Sequence, residues 1–386
     1  MPPTKPATRP IRSSLDKPQA RHQIVFPLSS GVPRMRCDAQ TLTQHAIALL
    51  QAVGMPEDKA HVVAHVLVEG DLLGHWTHGL RLLPAYLEHI QAGGMTLEGD
   101  PEVISERGVV ALWDGRCLPG HWLTFKAIEW ASERAKLQGM AAVCIKRTHH
   151  IAALAPYARH VAQNGQVLLM MTSAPLGGSV APFGGTEALF SPSPLGFGYG
   201  DGHQPVMVDV STSSTTNNKI IQYSRDGKLL EHPWLQDDQG RATNDPTVMQ
   251  RKGTVLPVGG KDSGHKGYGL ALTVEALTAG LSGHGRDDPS LPWMGTLFLQ
   301  IIEPDFFAGR EVFAQKMAWV SDRVHANRPI DPQQPVRLPG ERGLAQMKQQ
   351  LASGVELADS TVDALKAWGD KLGHPFYPQP GHASAT

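Results

Sequence analysis

Apolar residues in the first hundred positions recur every three or four residues, a spacing that indicates amphipathic helices. Asp38 is a suitable N-cap for the first of them, and Gly54 marks its end. A second helix opens at Pro56, and the three helices are predicted over residues 38–53, 56–73 and 79–92. Because no strand alternates with them, a nucleotide-binding βαβ unit does not begin in this part of the chain.

The middle of the chain mixes short apolar runs with helical patterns, as an α/β fold does. Strands are predicted over residues 109–113, 141–145, 166–172, 206–210 and 296–302. Helices are predicted over residues 120–137, 152–163, 267–281, 312–325, 342–351 and 361–372. This order predicts a flexible extension (1–35), an α/β core (116–310), a discontinuous helical domain around it (36–115 and 311–377) and a flexible tail (378–386).

Charge and cysteine content narrow the class of protein. The 35 Lys and Arg residues balance 36 Asp and Glu, so no basic surplus argues for nucleic acid or a membrane surface as partner. No apolar run approaches the roughly 20 residues that span a bilayer. The three widely spaced cysteines do not fit a disulfide framework or a four-cysteine zinc site, so a cytoplasmic protein is expected.

Two histidine clusters carry the first candidate chemistry. They are His75-Trp76-Thr77-His78-Gly79 and Thr148-His149-His150, the second just after a predicted strand. The carboxyl end of a strand is where α/β proteins place reactive groups, and histidine can move a proton near neutral pH. Either pair could instead only hydrogen-bond loop carbonyls.

A glycine-rich segment, residues 259–269, enters an apolar helix and contains Lys266. Free backbone N–H groups, the helix dipole and this lysine would favour a phosphate or a carboxylate there. The segment is not a P-loop, because Gly264 is followed by His265 rather than by Lys and then Ser or Thr. A flexible loop with a solvated lysine is the alternative.

Other patterns are weaker. A G-x-G-x-G run at residues 196–200 is predicted to be a loop, which does not fit a Rossmann fingerprint. His61 and His65 have the spacing of zinc ligands on a helix, but Val62 stands where a metalloprotease needs its glutamate, so a plain amphipathic helix is favoured. The polar residues 209–213 follow a strand and could hold ribose hydroxyls or cap a turn.

Together these stretches resemble the type 2 malate/L-lactate dehydrogenase family, also called the L-sulfolactate dehydrogenase-like oxidoreductases. The similarity runs from about Cys37 to Leu372 and is greatest to the hydroxycarboxylate dehydrogenase branch, which has His-His in its second motif. Each motif is weak alone, but the ordered set is specific. The motifs are Thr77-His78-Gly79 with Pro84 and Tyr86; Thr148-His149-His150-Ile151; Ala181-Pro182-Phe183-Gly184-Gly185; Ser193-Pro194-Leu195; Asp209-Val210-Ser211-Thr212-Ser213; His265-Lys266-Gly267-Tyr268-Gly269-Leu270; and Leu338-Pro339-Gly340-Glu341.

The resemblance implies an unusual NAD(P)-binding α/β fold that is not a Rossmann domain, and a homodimer. It implies catalytic roles for His150, as proton acceptor or donor, and for His78. The candidates for substrate binding are Thr77, Tyr86, Arg81 and His149. The candidates for cofactor binding are Ser173, Ala174, Ser193, Asp209, Val210, Ser211, Lys266, Gly340 and Glu341.

Three positions depart from the family pattern. Leu82 stands where many members carry an arginine that grips the substrate carboxylate, and Arg81 is one residue, or about 100° of helix, away. Ser193 replaces the usual asparagine before Pro-Leu, and no arginine occurs near residues 292–295, where some members contact substrate. The resemblance therefore does not choose between malate, lactate and other acids.

From the residues and the resemblance together, we expect His150 to take the hydroxyl proton of an α-hydroxy acid as hydride leaves for the nicotinamide. The cofactor is NAD or NADP, with NAD slightly favoured; no metal is required, and Asp209 could orient the imidazole. A reductase of a cyclic imino acid or a diketo-sugar acid is one alternative. Two alternatives from other classes are a non-catalytic ligand-binding protein and a zinc hydrolase using His61, His65, His75 or His78.

Overall fold

The structure is a computed structural model that describes residues 34–377. The predicted tail and nearly all of the predicted extension lie outside the described residues. The helices in this range are α1 (Ala39–Ala52), α2 (Glu57–Leu72), α3 (Leu83–Gln91), α4 (Gly120–Gln138), α5 (Ala155–Gln163), α6 (Asn217–Arg225), α7 (Gly260–Glu275), α8 (Arg310–His325), α9 (Glu341–Ser353) and α10 (Asp359–Leu372). The strands are β1 (Arg34–Cys37), β2 (Glu102–Arg107), β3 (Val110–Asp114), β4 (Met140–His149), β5 (Val167–Ser173), β6 (Leu195–Gly200), β7 (Pro205–Val210), β8 (Leu235–Gln236), β9 (Ala242–Thr243), β10 (Thr254–Val255), β11 (Met294–Ile302) and β12 (Val355–Ala358).

Seven strands form one mixed sheet in the order β2-β3-β4-β11-β5-β6-β7. β3 and β4 run parallel, and the other neighbouring pairs run antiparallel. The central strands are covered by helices, and β4 and β11 bury Val143, Ile145, Leu297 and Leu299 almost completely. This burial explains why their sequences read as apolar runs rather than as alternating patterns. The predicted α/β class with a mixed sheet is confirmed.

The two ends of the described chain meet at one side of this sheet. β1 pairs antiparallel with β12, and Gln350 of α9 donates from Nε2 to the carbonyl oxygens of Asp71 and Leu72 at 2.9 and 3.0 Å. α8 makes different contacts, since Ser321 donates to Asp201 at 2.7 Å, beside the end of β6. These contacts group α9 and α10, but not α8, with the N-terminal helices, and the predicted domain boundaries stay a prediction.

The glycine run at residues 196–200 forms β6, so the prediction of a loop there is wrong. A Cβ atom on Gly198 would lie 2.5 Å from the carbonyl oxygen of Ala158, and one on Gly196 would lie 2.8 Å from Met170. The glycines therefore let α5 approach the strand closely, a role of glycine in sheets that a turn-oriented reading overlooks.

The predicted helix 267–281 begins earlier, at Gly260, and continues into a π-helical turn over Ala276–Gly280. Much of the glycine-rich segment is thus helical, with a break at Ser263, whose φ and ψ are −127° and 15°. Lys266 lies in the first turn after this break, and its side chain is exposed.

A second, smaller hydrophobic core is formed by residues from the middle of the sequence, including Val180, Phe190, Ile220, Leu235 and Val255. It joins α6 to the three-stranded sheet β10-β8-β9. These elements and β2 were not predicted, because they are short or expose most of their residues. None of the helices in residues 34–377 is long and apolar enough to span a membrane.

Candidate active site

A cavity of about 620 Å³ lies where β4 and β5 end and β11 begins. It brings together residues from both histidine clusters, from the serine-rich loops and from the first turn of α6. Its lining includes Thr77, His78, His149, His150, Ser173, Ala174, Ser191, Ser193, Asp209, Ser211, Asn217, Asn218, Trp293 and Met294. The volume lies within the range of about 300–1,000 Å³ that small-molecule and cofactor sites occupy.

His150 is the first residue after β4, and its ring is held by a tyrosine. Its Nδ1 lies 2.6 Å from the Oη of Tyr86, a side chain with no exposed surface. Burial, then the neighbouring His78, lowers the pKa of His150 well below its ordinary value. The imidazole is therefore neutral near pH 7, with Nε2 left for a ligand.

His78 lies beside His150 in the cavity lining, with the two rings stacked and their centroids 5.9 Å apart. Its Nδ1 lies 2.8 Å from the Oγ1 of Thr77, whose carbonyl accepts from Asn218 Nδ2 at 3.0 Å. Burial lowers the pKa of His78, and the negative charge of Asp209 opposes this effect. His78 therefore has a carboxylate nearby to stabilise its protonated form.

The loop that carries His78 is fixed from below by a buried carboxyl group. Asp71 accepts from the backbone N–H of Leu80 at 2.7 Å, and burial raises the pKa of Asp71 to about 8. A Cβ atom on Gly79 would lie 2.2 Å from Asp71 Oδ1, so only glycine allows this close approach.

Two further histidines lie behind Tyr86 with almost no exposed surface. His149 Nε2 lies 3.1 Å from His89 Nδ1, while His149 Nδ1 and His121 Nε2 have no hydrogen-bond partner among the described residues. Burial lowers the pKa of both His121 and His149 to about 3. Both rings are consequently neutral, and they add no positive charge to the site.

Asp209 performs a structural role that the sequence did not suggest. Its Oδ2 accepts from the backbone N–H groups of Leu154 and Ala155 at 2.8 and 3.1 Å, so it caps α5. No hydrogen bond joins it to His150. Asp209 and Ser211 line the cavity, but Val210 points the other way and is 49% exposed, as the alternation of a strand requires.

Hydroxyl groups form another part of the cavity lining. Ser173 Oγ lies 2.9 Å from Thr296 Oγ1, and Ser191 Oγ lies 3.0 Å from Ser193 Oγ and accepts from Ala174 N at 3.2 Å. Ser193 is fully buried and has a φ of 42°, an uncommon conformation for a residue other than glycine. Such outliers concentrate at functional sites.

Six predicted site residues do not line this cavity: Tyr86, which lies against His150, Val210, and four others. The guanidinium of Arg81 lies 5.7 Å from the ring centre of Trp76 instead. Glu341 accepts from Gln204 Nε2 at 2.7 Å, and its neighbour Gly340 packs against Met207. Lys266 lies in the exposed turn described above. Their predicted roles in binding stay predictions.

The structure adds cavity residues that the sequence reasoning missed. Asn217 and Asn218 follow the N-cap Thr216 in the first turn of α6, and a run of Ser and Thr before Asn-Asn is a recognisable helix start. Trp293 was passed over because only an arginine was sought around residues 292–295. Its φ of 65° places it among the outliers as well.

The helix-spaced pair of the zinc alternative is accounted for by local contacts. His65 Nδ1 lies 2.8 Å from the carbonyl oxygen of His61, and their rings stack 6.2 Å apart on the exposed face of α2. No group of three or more His, Cys, Asp or Glu side chains suited to one metal ion occurs in residues 34–377.

Comparison with known proteins decides the family. A family model described as malate/L-lactate dehydrogenase matches residues 37–366. This chain belongs to that family. It is 28% identical to the malate dehydrogenase of Pyrococcus abyssi, over 88% of this chain and 95% of the relative. It is 30% identical to the (2R)-3-sulfolactate dehydrogenase (NADP(+)) of Chromohalobacter salexigens, over 86% and 96%.

A solved structure agrees with the family assignment. The malate dehydrogenase of Pyrococcus horikoshii OT3 superposes with a TM-score of 0.82 at 25% identity, over 90% of this chain and 99% of that one. The resemblance seen in the sequence motifs is thus confirmed, and so is the predicted enzyme class, a dehydrogenase that acts on hydroxycarboxylic acids.

Proposed function

We propose that this member of the malate/L-lactate dehydrogenase family transfers hydride between a nicotinamide cofactor and an α-hydroxy/α-keto acid, with His150 as the general acid and base. The observation that carries the proposal is the pairing of His150 Nδ1 with Tyr86 Oη at 2.6 Å on the wall of a large cavity. A histidine oriented at one nitrogen presents the other to the substrate in a defined direction.

The residues of the cavity fit a nicotinamide. The Oδ1 atom of Asn217 is buried and has no partner among the described residues. It could accept a hydrogen bond from the N–H₂ group of the nicotinamide carboxamide. The serine hydroxyls around Ser173 and Ser193 suit polar groups of the cofactor. The bound nicotinamide would supply or accept the hydride, and the mostly antiparallel sheet would hold it without a Rossmann unit.

The proton path uses the tautomer of His150 in which Nδ1–H donates to Tyr86 Oη and Nε2 is free to accept a proton. In oxidation, Nε2 of neutral His150 takes the hydroxyl proton as the substrate C–H bond breaks and its C=O bond forms. The resulting imidazolium keeps Nδ1–H donating to Tyr86 Oη. In reduction the steps reverse, and Nε2 gives its proton to the oxygen of the new alcohol. His78, helped by the charge of Asp209, stabilises the oxygen or carboxylate of the substrate from its place beside His150.

We propose NAD rather than NADP as the cofactor, because the part of its site that this cavity forms offers no Lys or Arg to a 2′-phosphate. Among the described lining residues the one charged side chain other than histidine is Asp209. The same proposal includes cofactor contacts by Lys266, Gly340 and Glu341. It also includes a homodimer and a cytoplasmic location. Light scattering of the purified protein tests the dimer.

Cofactor binding and turnover test the proposal separately. NADH and NADPH are titrated by fluorescence, and keto-acid reduction is followed at the nicotinamide absorbance band. H150Q should lower kcat by about 100-fold or more, the usual contribution of general acid–base catalysis, and leave NADH affinity within about threefold. H61Q, at an exposed site on α2, is the matched control. Near-normal turnover of H150Q, or failure of wild type to bind either dinucleotide, would reject the proposal.

A further inference from the structure

We propose that Trp293 selects 2-oxo and 2-hydroxy monocarboxylic acids with a branched or aromatic apolar side chain, and that the site discriminates against dicarboxylic and sulfonic acids. The inference rests on the proposed function and adds the class of substrate to it. It depends on two independent observations, the position of one indole ring and the charges of the cavity wall.

The pairing of two strands places Trp293 beside the reacting group. Met294 of β11 lies opposite His149 of β4, so the residue before Met294 meets the residue after His149. The indole ring centre is accordingly 5.3 Å from that of His150 and 5.6 Å from that of Tyr86, in edge-to-face contact with both. A substrate with its oxygen at His150 therefore has its side chain close to the indole.

The indole is held there at an energetic cost. Trp293 adopts a φ of 65°, a strained conformation for a bulky residue, and 37% of its surface remains accessible. A ring that remains accessible to the cavity in this way gains contact area when an apolar group enters. Aromatic side chains contribute strongly to such binding, because they bury a large area and prefer defined ring geometries.

The charges of the cavity exclude a second anionic group. None of the described lining residues is Lys or Arg, and Asp209 contributes a negative charge. Arg286 reaches the wall by donating to the carbonyl oxygen of Ala174 at 3.1 Å. Its charge is neutralised, however, because its Nη2 lies 2.5 Å from Glu275 Oε1.

His121 and His149 do not replace the missing cation, since burial keeps both rings neutral. One substrate carboxylate can use His78 and the first turn of α6. A second carboxylate or a sulfonate on the side chain would meet Trp293 and Met294, lose its hydration and find no partner, which is a severe penalty.

Steady-state reduction of a panel of acids by NADH tests the inference. Phenylpyruvate and 4-methyl-2-oxopentanoate represent the apolar class, oxaloacetate and 3-sulfopyruvate the dianions, pyruvate the small reference and Δ1-piperideine-2-carboxylate the cyclic imines. For wild type, kcat/KM should be about 10-fold or more higher for the two apolar acids than for the dianions, a ratio that pocket contacts of this size produce.

Variants of Trp293 then assign the preference to the indole. W293A should lower kcat/KM for phenylpyruvate by about 10-fold or more and that for pyruvate by less than about threefold. W293F should retain most of the preference for apolar acids. W293R should raise kcat/KM for oxaloacetate relative to that for phenylpyruvate. L291A, two residues away and outside the cavity lining, is the control for disturbance of the loop.

The outcomes separate this inference from the proposed function. Preference of wild type for oxaloacetate, 3-sulfopyruvate or the cyclic imine would overturn the inference and leave the dinucleotide reaction standing. Equal losses for all acids in W293A would overturn it too, because the indole would then have no selective role. Absence of turnover with every acid, while NADH still binds, would overturn the proposed function itself.

Discussion

Removing a single oxygen atom, by Y86F, tests how His150 works. The phenol has no exposed surface and donates or accepts one hydrogen bond, to His150 Nδ1 at 2.6 Å, so phenylalanine fills the same space. Loss of the partner leaves a polar nitrogen unpaired inside the protein, which costs about 1–3 kcal/mol. The cost falls mainly on the protonated imidazolium, so kcat should decrease by about 5- to 150-fold at 1.36 kcal/mol per decade.

Hydride transfer must be observed directly for this comparison. Single-turnover reduction with NADH and with its 4-deuterated form shows whether the chemical step limits the rate in both proteins. Y223F is the matched control, because it removes another phenol hydroxyl, from an exposed hydrogen bond to Glu231. NADH affinity should stay unchanged in Y86F. A transfer rate within twofold of wild type, with a full isotope effect in both, would refute the claim that Tyr86 holds the catalytic tautomer.

Three further predictions concern stability. Between pH 7 and pH 5, H121Q should lose about 2 kcal/mol less stability than wild type in urea unfolding. In wild type the unfolded imidazole gains a proton near pH 6.5, whereas the buried ring, with a pKa lowered to about 3, does not. Equal losses in the two proteins would contradict this. D71A should lower the free energy of unfolding by about 1–3 kcal/mol and raise KM by loosening the His78 loop, whereas D71N keeps an acceptor for the backbone N–H it caps and should stay close to wild type; equal effects would argue against the hydrogen bond. G198A should cost about 1–3 kcal/mol in the same assay, since its methyl group would meet the α5 backbone at 2.5 Å, whereas G269A, with open space around it, should cost nothing; similar values for the two would contradict close packing.

The long elements of the fold could be predicted from the sequence, and the short ones could not. Helices such as α1 and buried strands such as β11 repeat an apolar pattern over many residues, so chance patterns do not imitate them. β6 was not predicted, because its glycines resemble a turn in the sequence. Their role is clear only once the packing of α5 against them is known. The pairing of β1 with β12 joins positions more than 300 residues apart, which no local pattern encodes.

The sequence likewise predicted some residues of the candidate site and missed others. His78 and His150 were found because motifs with distinctive chemistry carry them, and the structure does bring them to one cavity. Asp71 and His121 were missed because their effects depend on burial, and a sequence gives no burial for a lone polar residue. Arg81 was chosen for its charge, but the turn of the helix directs it to Trp76. Residue type thus indicated the chemistry, whereas the direction in which each side chain points depended on the packing.

Burial links the chemistry of this site to its cost in stability. A general base must be neutral at the working pH, and for His150 desolvation is the main cause, with the neighbouring histidines adding smaller effects. The same desolvation acts on His121, which does not line the cavity, and there it brings only sensitivity to acid. Replacing His121 should therefore improve stability at low pH and shift the acid limb of the rate profile much less, because its ring is neutral over the working pH range. If instead the acid limb of the rate profile moved as far as the stability did, the histidines would act as one coupled unit and not as a base surrounded by passive neighbours.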